Sequence, residues 1–249
     1  MITLVSGSAA LSTKLNRSFH GAGIPILEGY GLTETSPVIA VNSFERVKIG
    51  TVGHVLDNLD VKIQADGEIT VKGPSVFQGY YKDEEKTKEA FTEDGYFMTG
   101  DIGHIDEEGF LHITDRKKEM FKTSGGKYVA PQVLENLAKG SKFIEQIMVV
   151  GDGEKMPCAL VQPDYAFAKL WAERKHLKIG KTPEEMANSP ELKARIMKDI
   201  NLLNATLGKW EQIKKIELTP TLWTIEDGLL TPTMKLKRKA IKEKFFNRY

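Results

Sequence analysis

The stretch Asp115-Arg116-Lys117-Lys118-Glu119-Met120-Phe121-Lys122-Thr123-Ser124-Gly125-Gly126-Lys127 lies near the middle of the chain and decides how the rest divides. Five cations and two glycines in thirteen residues cannot form a core. Before it, Phe110-Leu111-His112-Ile113-Thr114 reads as a strand; after it, Tyr128-Val129-Ala130-Pro131 offers a proline suited to the first turn of a helix. The stretch is therefore read as an exposed, flexible, cationic connector, suited to meeting an anionic ligand or to acting as a hinge. On these residues alone, a solvated turn between two elements explains it as well.

Upstream, Met1-Ile2-Thr3-Leu4-Val5 reads as a buried strand with no cap before it, as though cut from something longer. A helix is expected over Leu11 to Phe19, then a turn at Gly21-Ala22-Gly23 and a strand Ile24-Pro25-Ile26-Leu27. Glu28 to Thr35 reads as a polar loop. From Gly50 the pattern becomes β. Val61, Ile63 and Ala65 alternate up to Asp66-Gly67, and Ile69 and Val71 alternate after it, which predicts a hairpin. A second hairpin is expected across Asp106 to Gly109, pairing Gly103 and Ile105 with Leu111 and Ile113, with a short helix over Asp83 to Phe91 between them. Residues 50–114 thus read as a small antiparallel subdomain or barrel.

Downstream, Pro131 to Lys139 reads as a helix, Ile144 to Val150 as a strand, and Cys158 to Val161 as a second strand after the Gly151-Asp152-Gly153 turn. A helix follows over Ala166 to Lys175. Ser189 and Pro190 then open a helix whose Leu192, Ile196, Ile200, Leu203 and Leu207 make one apolar stripe. A strand over Ile213 to Leu218 and a basic helix over Met234 to Phe246 complete the reading.

The totals exclude several classes. Lys+Arg 35 against Asp+Glu 34 leaves +1 over 249 residues, so no global field draws the chain to nucleic acid or membrane. The single cysteine, Cys158, rules out an internal disulfide framework, suits a reducing compartment and, in an apolar run, reads as a buried structural thiol. No apolar run reaches the roughly 18 residues of a membrane span. His20, His54, His104, His112 and His176 show no metal-ligand spacing, and no G-x-S-x-G elbow is present.

Four groups fit a nucleotide. Ser6 to Ala9, which includes Ser8 and Ala9, and Gly29 to Gly31 supply close-approach backbone at strand ends, with Tyr30 offering a flat face. Thr33 supplies a hydroxyl for phosphate and Glu34 a hard oxygen ligand for Mg²⁺. Asp101 offers a carboxylate for both hydroxyls of a ribose. Lys122 and Lys235 are placed to neutralise phosphoryl charge. Taken singly, each has a plain structural explanation.

Taken in order, they carry a resemblance. Tyr30-Gly31-Leu32-Thr33-Glu34, Thr99-Gly100-Asp101, Asp115-Arg116 through Gly125, and Leu229-Leu230-Thr231-Pro232-Thr233-Met234-Lys235-Leu236-Lys237-Arg238 look like four ordered motifs of the adenylate-forming superfamily. Within it the chain most resembles the long-chain fatty acid CoA ligases, essentially from end to end. The resemblance implies an α/β and α+β fold: residues 1–49 ending a large adenylate-binding domain, 50–115 as the antiparallel subdomain, 116–118 as hinge and 119–249 as a small mobile α+β domain. The family's Ser/Thr/Gly-rich phosphate loop and most of its acyl tunnel have no counterpart here. The chain is therefore expected to be the C-terminal part of a longer enzyme, inactive alone, with the upstream part of that enzyme as its partner.

The implied reaction joins a fatty acid to ATP, giving acyl-adenylate and pyrophosphate, and then to coenzyme A, releasing AMP. The resemblance assigns Lys235 to bridge carboxylate and phosphate, Glu34 to Mg²⁺ and Thr33 to the α-phosphate. It assigns Tyr30 with Ser8 and Ala9 to adenine, and Asp101 and Arg116 to the ribose. Lys118 is the implied pivot, and Lys122 with Gly125 and Gly126 the surface for the thioester step. Three alternatives stay open: a non-catalytic nucleotide- or CoA-binding module, a ligase for another carboxylate, and an anion-binding role for Lys235, Lys237, Arg238, Lys239, Lys242, Lys244 and Arg248 on nucleic acid or a membrane surface. The resemblance favours a cytoplasmic enzyme with no nucleic-acid partner and at most peripheral membrane contact. An apolar face left uncovered would favour self-association.

Overall fold

The computed structural model describes residues 4–7 and 11–246, and it divides into two compact units, Met1–Glu119 and Met120–Tyr249.

In the first unit, β1 (Leu4–Ser6) pairs in parallel with β2 (Ile26–Gly31) after the intervening helix α1 (Thr13–Gly21). Antiparallel β3 (Val38–Val41) and β4 (His54–Val55) complete the sheet in the order β1-β2-β3-β4. Helix α1 begins two residues later than expected, because Ser12 takes the position before the first turn. β1 is not the buried strand that the sequence suggests. Among the described residues it pairs with β2 alone, and Val5 is 66% exposed. Glu28 to Gly31 is no polar loop either: β2 runs to Gly31 because β3 pairs with it there, and only Thr33–Thr35 turns as a short 3₁₀ helix.

The second sheet of this unit is antiparallel throughout: β5 (Asp60–Ile63), β6 (Glu68–Lys72), β7 (Phe97–Ile105) and β8 (Leu111–Arg116), with the short helix α2 (Glu84–Glu89) between β6 and β7. Both expected hairpins form, the first with Val61 opposite Val71 and the second in the expected pairing, Gly103 opposite Ile113 and Ile105 opposite Leu111. Along β7, Phe97, Thr99, Asp101 and Gly103 alternate inward, as period two requires. The sheet stays open in the order β5-β6-β7-β8, and no barrel forms. Its apolar faces pack as two clusters, one around Ile39, Val71 and Phe97, the other around Ala40, Ile69 and Leu111.

The second unit opens with a small hairpin, β9 (Phe121–Lys122) against β10 (Tyr128–Val129), so the cationic stretch is ordered from Phe121 onward by backbone pairing. Helix α3 (Pro131–Ala138) follows, then β11 (Ile144–Val150), β12 (Cys158–Pro163), α4 (Tyr165–Lys175), α5 (Pro183–Ala187), α6 (Pro190–Asn204), β13 (Lys215–Leu218) and α7 (Arg238–Phe245). β11 and β12 pair antiparallel, β12 and β13 parallel. Ser189 caps α6 by accepting from the Leu192 amide at 3.3 Å, and Leu192, Ile196 and Ile200 fill the main core with Ile147, Val161 and Ile213.

The opposite face of the β11–β12–β13 sheet is covered as well. Met148 and Leu160 meet Trp223, Leu229, Leu230 and Ile241, which is why β11 is apolar on both faces from Ile147 to Val150. Helix α7 starts at Arg238, not Met234, because the chain from Leu230 to Leu236 is closed as a turn. Cys158 is only half-buried, at the start of β12, where partial burial raises its thiol pKa.

Candidate functional site

In the first unit three strands bring distant residues to one carboxylate. The Tyr30 hydroxyl on β2 donates to Asp101 Oδ2 on β7 at 2.7 Å, and Arg116 Nε on β8 lies 3.3 Å from Asp101 Oδ1. Asp101 and Arg116 are cross-strand partners, which sets their side chains near one another. Asp101 is 5% exposed, so its charge is stabilised by these donors in place of water. Its own amide donates to Thr99 Oγ1 at 3.1 Å, and that hydroxyl donates to the Ile69 carbonyl at 2.7 Å. Burial first, and the Asp101 charge second, raise the Tyr30 phenol well above its ordinary value. Tyr30 stays neutral and donating.

The ring of Tyr30 packs against both apolar clusters of its unit, so it is less an open platform than the sequence suggests. Gly31 has a reason inside the fold: a Cβ there would lie 1.6 Å from the Pro37 carbonyl oxygen, so only glycine lets β2 meet β3. Gly29 lacks that constraint. Thr33 is exposed on the 3₁₀ turn. Glu34 is half-buried there, its Oε1 accepting from the Tyr80 hydroxyl at 3.1 Å and its carbonyl from the Phe77 amide at 2.8 Å. Ser8 and Ala9 lie outside the described residues. The buried Glu28 accepts from Asn16 Nδ2 at 3.0 Å and from the Leu11 amide at 3.3 Å, and burial raises its pKa.

In the second unit the two lysines stand on turns held by backbone. Lys122 is exposed on β9, its Nζ 4.8 Å from the Tyr128 ring centroid. The turn beyond it is closed by Thr123 N–H to Lys127 O at 2.9 Å and Gly126 N–H to Thr123 O at 2.8 Å, and Ser124 N–H to Glu154 O ties it to the neighbouring turn. Gly126, at φ 76°, needs to be glycine. Gly125 does not: its φ is not positive, and a Cβ there would meet nothing closer than Thr123 Oγ1 at 3.9 Å.

Lys235 is exposed on a turn of the same size. Thr231 N–H donates to Lys235 O at 2.8 Å, Lys235 N–H to Thr231 Oγ1 at 3.1 Å, and Met234 takes φ 60°. Leu230 bridges to Leu236 behind it, and both pack into the Trp223 cluster. Among the described residues no carboxylate pairs with the Lys122 or Lys235 ammonium, and no three His, Cys, Asp or Glu side chains gather as a metal site.

Two buried carboxylates have no motif to mark them in the sequence. Glu68 accepts from the Gly100 amide at 3.0 Å and from Lys117 Nζ at 2.6 Å. Glu135 Oε1 accepts from Val149 N–H at 2.6 Å and from both terminal nitrogens of Arg238 at 2.9 and 2.8 Å. Arg238 is therefore committed inside the fold and does not extend the basic face of α7. Arg248 lies outside the described residues. The sequence signal for Glu68 is a carboxylate at the first position of a strand, directly after the Asp66-Gly67 turn.

Comparison with known proteins assigns the lineage. The family described as AMP-binding enzyme matches residues 2–81, and the AMP-binding enzyme C-terminal domain matches residues 119–245, just over half of the chain. The chain belongs to the AMP-binding enzymes. Relatives of the chain include a long-chain-fatty-acid–CoA ligase of Mycobacterium bovis, 44% identical over 241 residues, covering 97% of this chain and 40% of that one. Long-chain-fatty-acid–CoA ligase 1 of Homo sapiens is 36% identical over 257 residues, covering 97% and 36%.

Among solved structures, the adenylation domain of a carboxylate reductase from Mycobacterium chelonae superposes with a TM-score of 0.77 at 26% identity, covering 98% of this chain and 37% of that one. ATP-bound MatB of Rhodopseudomonas palustris gives 0.72 at 27%, covering 98% and 45%. The mixed α/β fold is thus that of adenylate-forming enzymes. The chain spans about two fifths of the length of the curated relatives it matches.

Proposed function

We propose that this chain serves in a long-chain fatty acid CoA ligase, holding the adenosine of ATP in its first unit and supplying one lysine for each half-reaction from its second. The observation that carries the reading is the convergence of Tyr30, Asp101 and Arg116 from three strands, on the residues the resemblance assigns to adenosine. Identity to ligases of this name over 97% of the chain supports the substrate class.

Adenylation brings a carboxylate against a polyphosphate, so catalysis rests on positioning and on positive charge at the phosphoryl oxygens. Asp101, fixed by Tyr30, Thr99 and Arg116, is the acceptor for the ribose hydroxyls, and Arg116 lies beside it as a second ribose contact. Tyr30 and Gly29 border the base together with Ser8 and Ala9, and the exposed Thr33 hydroxyl faces the α-phosphate. Glu34 fits Mg²⁺: it is a half-buried carboxylate on a polar turn, and that ion is commonly held by one or two carboxylates, water and substrate phosphates. When bound, Mg²⁺ neutralises charge on the phosphoryl oxygens.

Lys235 brings its ammonium to the reacting carboxylate and phosphate on a turn whose backbone is already closed, so little order is lost on engagement. For thioester formation, the domain 119–249 turns about the segment 116–118 with Lys118 as pivot. Lys122 then faces the acyl-adenylate, while Gly125 and Gly126 leave a path for the pantetheine arm of CoA. The reading includes a cytoplasmic location with at most peripheral membrane contact. Among the described residues no helix is long and apolar enough to cross a membrane.

The test is direct. The chain should bind AMP in a calorimeter, and the ligase containing it should convert a long-chain fatty acid, ATP and CoA into acyl-CoA, AMP and pyrophosphate. Binding of AMP without any acyl-CoA formed would favour the non-catalytic module instead.

A further inference from the structure

Gly100, which precedes the ribose acceptor, is held at both ends of its backbone by one closed circuit. Its N–H donates to Glu68 Oε1 at 3.0 Å, and its carbonyl accepts from the Lys117 N–H at 2.8 Å. The circuit closes through the side chain of Lys117, whose Nζ donates to Glu68 Oε2 at 2.6 Å. A second carboxylate shares that ammonium: Asp66 Oδ2 lies 2.7 Å from Lys117 Nζ. Asp66 Oδ1 in turn accepts from the Glu68 amide at 3.1 Å, so the hairpin turn between β5 and β6 presents both acids together.

Burial separates the two acids. Glu68 is 4% exposed, so an unpaired charge there would be costly, while Asp66 is half open to water. Lys117 sits between Arg116 and Lys118, one residue past β8. Its pKa is raised, chiefly by Asp66 and next by Glu68, as for an ammonium gripped by two acids.

We infer that Glu68 is a positioning residue for Asp101 and, with Asp66, anchors the chain at Lys117, the start of the turn that Glu119 N–H closes on the Arg116 carbonyl at 2.9 Å. The first half rests on the ligase reading, because it gives Asp101 a ligand; the anchor does not. The geometry gives the two acids different duties. Glu68 touches both Gly100 and Lys117, whereas Asp66 grips only the lysine and the Glu68 amide.

Three measurements on the folded chain test it. Brief trypsin treatment reads opening at the Arg116, Lys117 and Lys118 sites, with Lys122 and Lys127 as internal controls. Glu68→Gln should speed cleavage at 116–118 roughly tenfold, the scale of one charge-assisted hydrogen bond. Asp66→Asn, at an exposed site, should speed it about two- to threefold. Unchanged cleavage at 116–118, or equal acceleration at the control sites, overturns the anchor.

Amide exchange of Gly100 should rise in Glu68→Gln and stay unchanged in Asp66→Asn; exchange unchanged in both overturns the positioning role. AMP affinity should fall roughly tenfold in Glu68→Gln and stay within about twofold in Asp66→Asn. Wild-type chain that binds no AMP would refute the nucleotide half of the ligase reading, leaving cleavage and exchange to decide the inference on their own.

Discussion

In the unit that ends at Glu119, the charged groups assigned to the nucleotide are tied to one another, whereas the two lysines assigned in the unit from Met120 stand on short turns with no carboxylate partner among the described residues. Asp101 has its two oxygens occupied by Tyr30 and Arg116, while the Lys122 ammonium, among the described residues, meets the Tyr128 ring and no carboxylate. A group that must hold a ligand in one geometry gains by being fixed in place before the ligand arrives, since the ordering cost is met during folding. A cation that must engage developing charge and then withdraw gains by having no stronger partner. The two units thus suit holding and delivering respectively.

The contrast can be broken most sharply at Lys235. Lys235→Ala in the ligase should slow adenylation on the order of 10²-fold or more, the scale for removing one charge-stabilising donor, with the unfolding temperature of the second unit unchanged. A loss of stability of similar size would mean that the lysine belongs to the fold. On the holding side, Asp101→Asn leaves Arg116 facing a neutral amide, and AMP affinity measured by calorimetry should fall about ten- to a hundredfold. A change under twofold would show that the Tyr30–Asp101–Arg116 set is structural.

A smaller effect is expected at Gly125, where neither φ nor packing demands glycine. Gly125→Ala should leave stability within about 0.5 kcal/mol, yet raise KM for CoA several-fold, on the order of one lost close contact. Unchanged CoA kinetics would remove the pantetheine path from this turn. The smallest effect concerns Asp94, whose carboxyl is lowered from 3.8 to about 2, first by Lys62 and then by the Thr92 hydroxyl. A depressed carboxyl stabilises the fold above its ordinary value and loses that contribution as pH falls through 2. Asp94→Asn should therefore shift the acid-unfolding midpoint of the first unit slightly upward in pH and leave ligand binding untouched.

The sequence carries the periodic part of this architecture well. The stripe of Leu192, Ile196 and Ile200 is buried as read, although α6 ends at Asn204 and leaves Leu207 beyond it, and the alternation across Asp66-Gly67 gives the hairpin as read, although β6 buries Glu68 and Thr70 on its other face as well. What periodicity does not report is the partner across the fold. Tyr30 and Asp101 are 71 residues apart, Glu68 and Lys117 49, and Glu135 and Arg238 103. Each pair joins strands or loops whose local patterns are independent. The ordered motifs locate Asp101 and Arg116 through resemblance, but the buried acids behind them follow from no local rule. The cationic stretch shows the same division: its exposure is legible in composition, while its hairpin depends on the turn at Gly151 to Glu154 receiving Ser124.

The most direct test of the division between holding and delivering is a crossed half-reaction measurement on Lys235→Ala and Lys122→Ala in the ligase, comparing ATP–pyrophosphate exchange with thioester formation from supplied acyl-adenylate. Lys235→Ala is expected to lose exchange and keep most thioester formation, and Lys122→Ala to do the reverse. Equal loss of both half-reactions in either variant would contradict it.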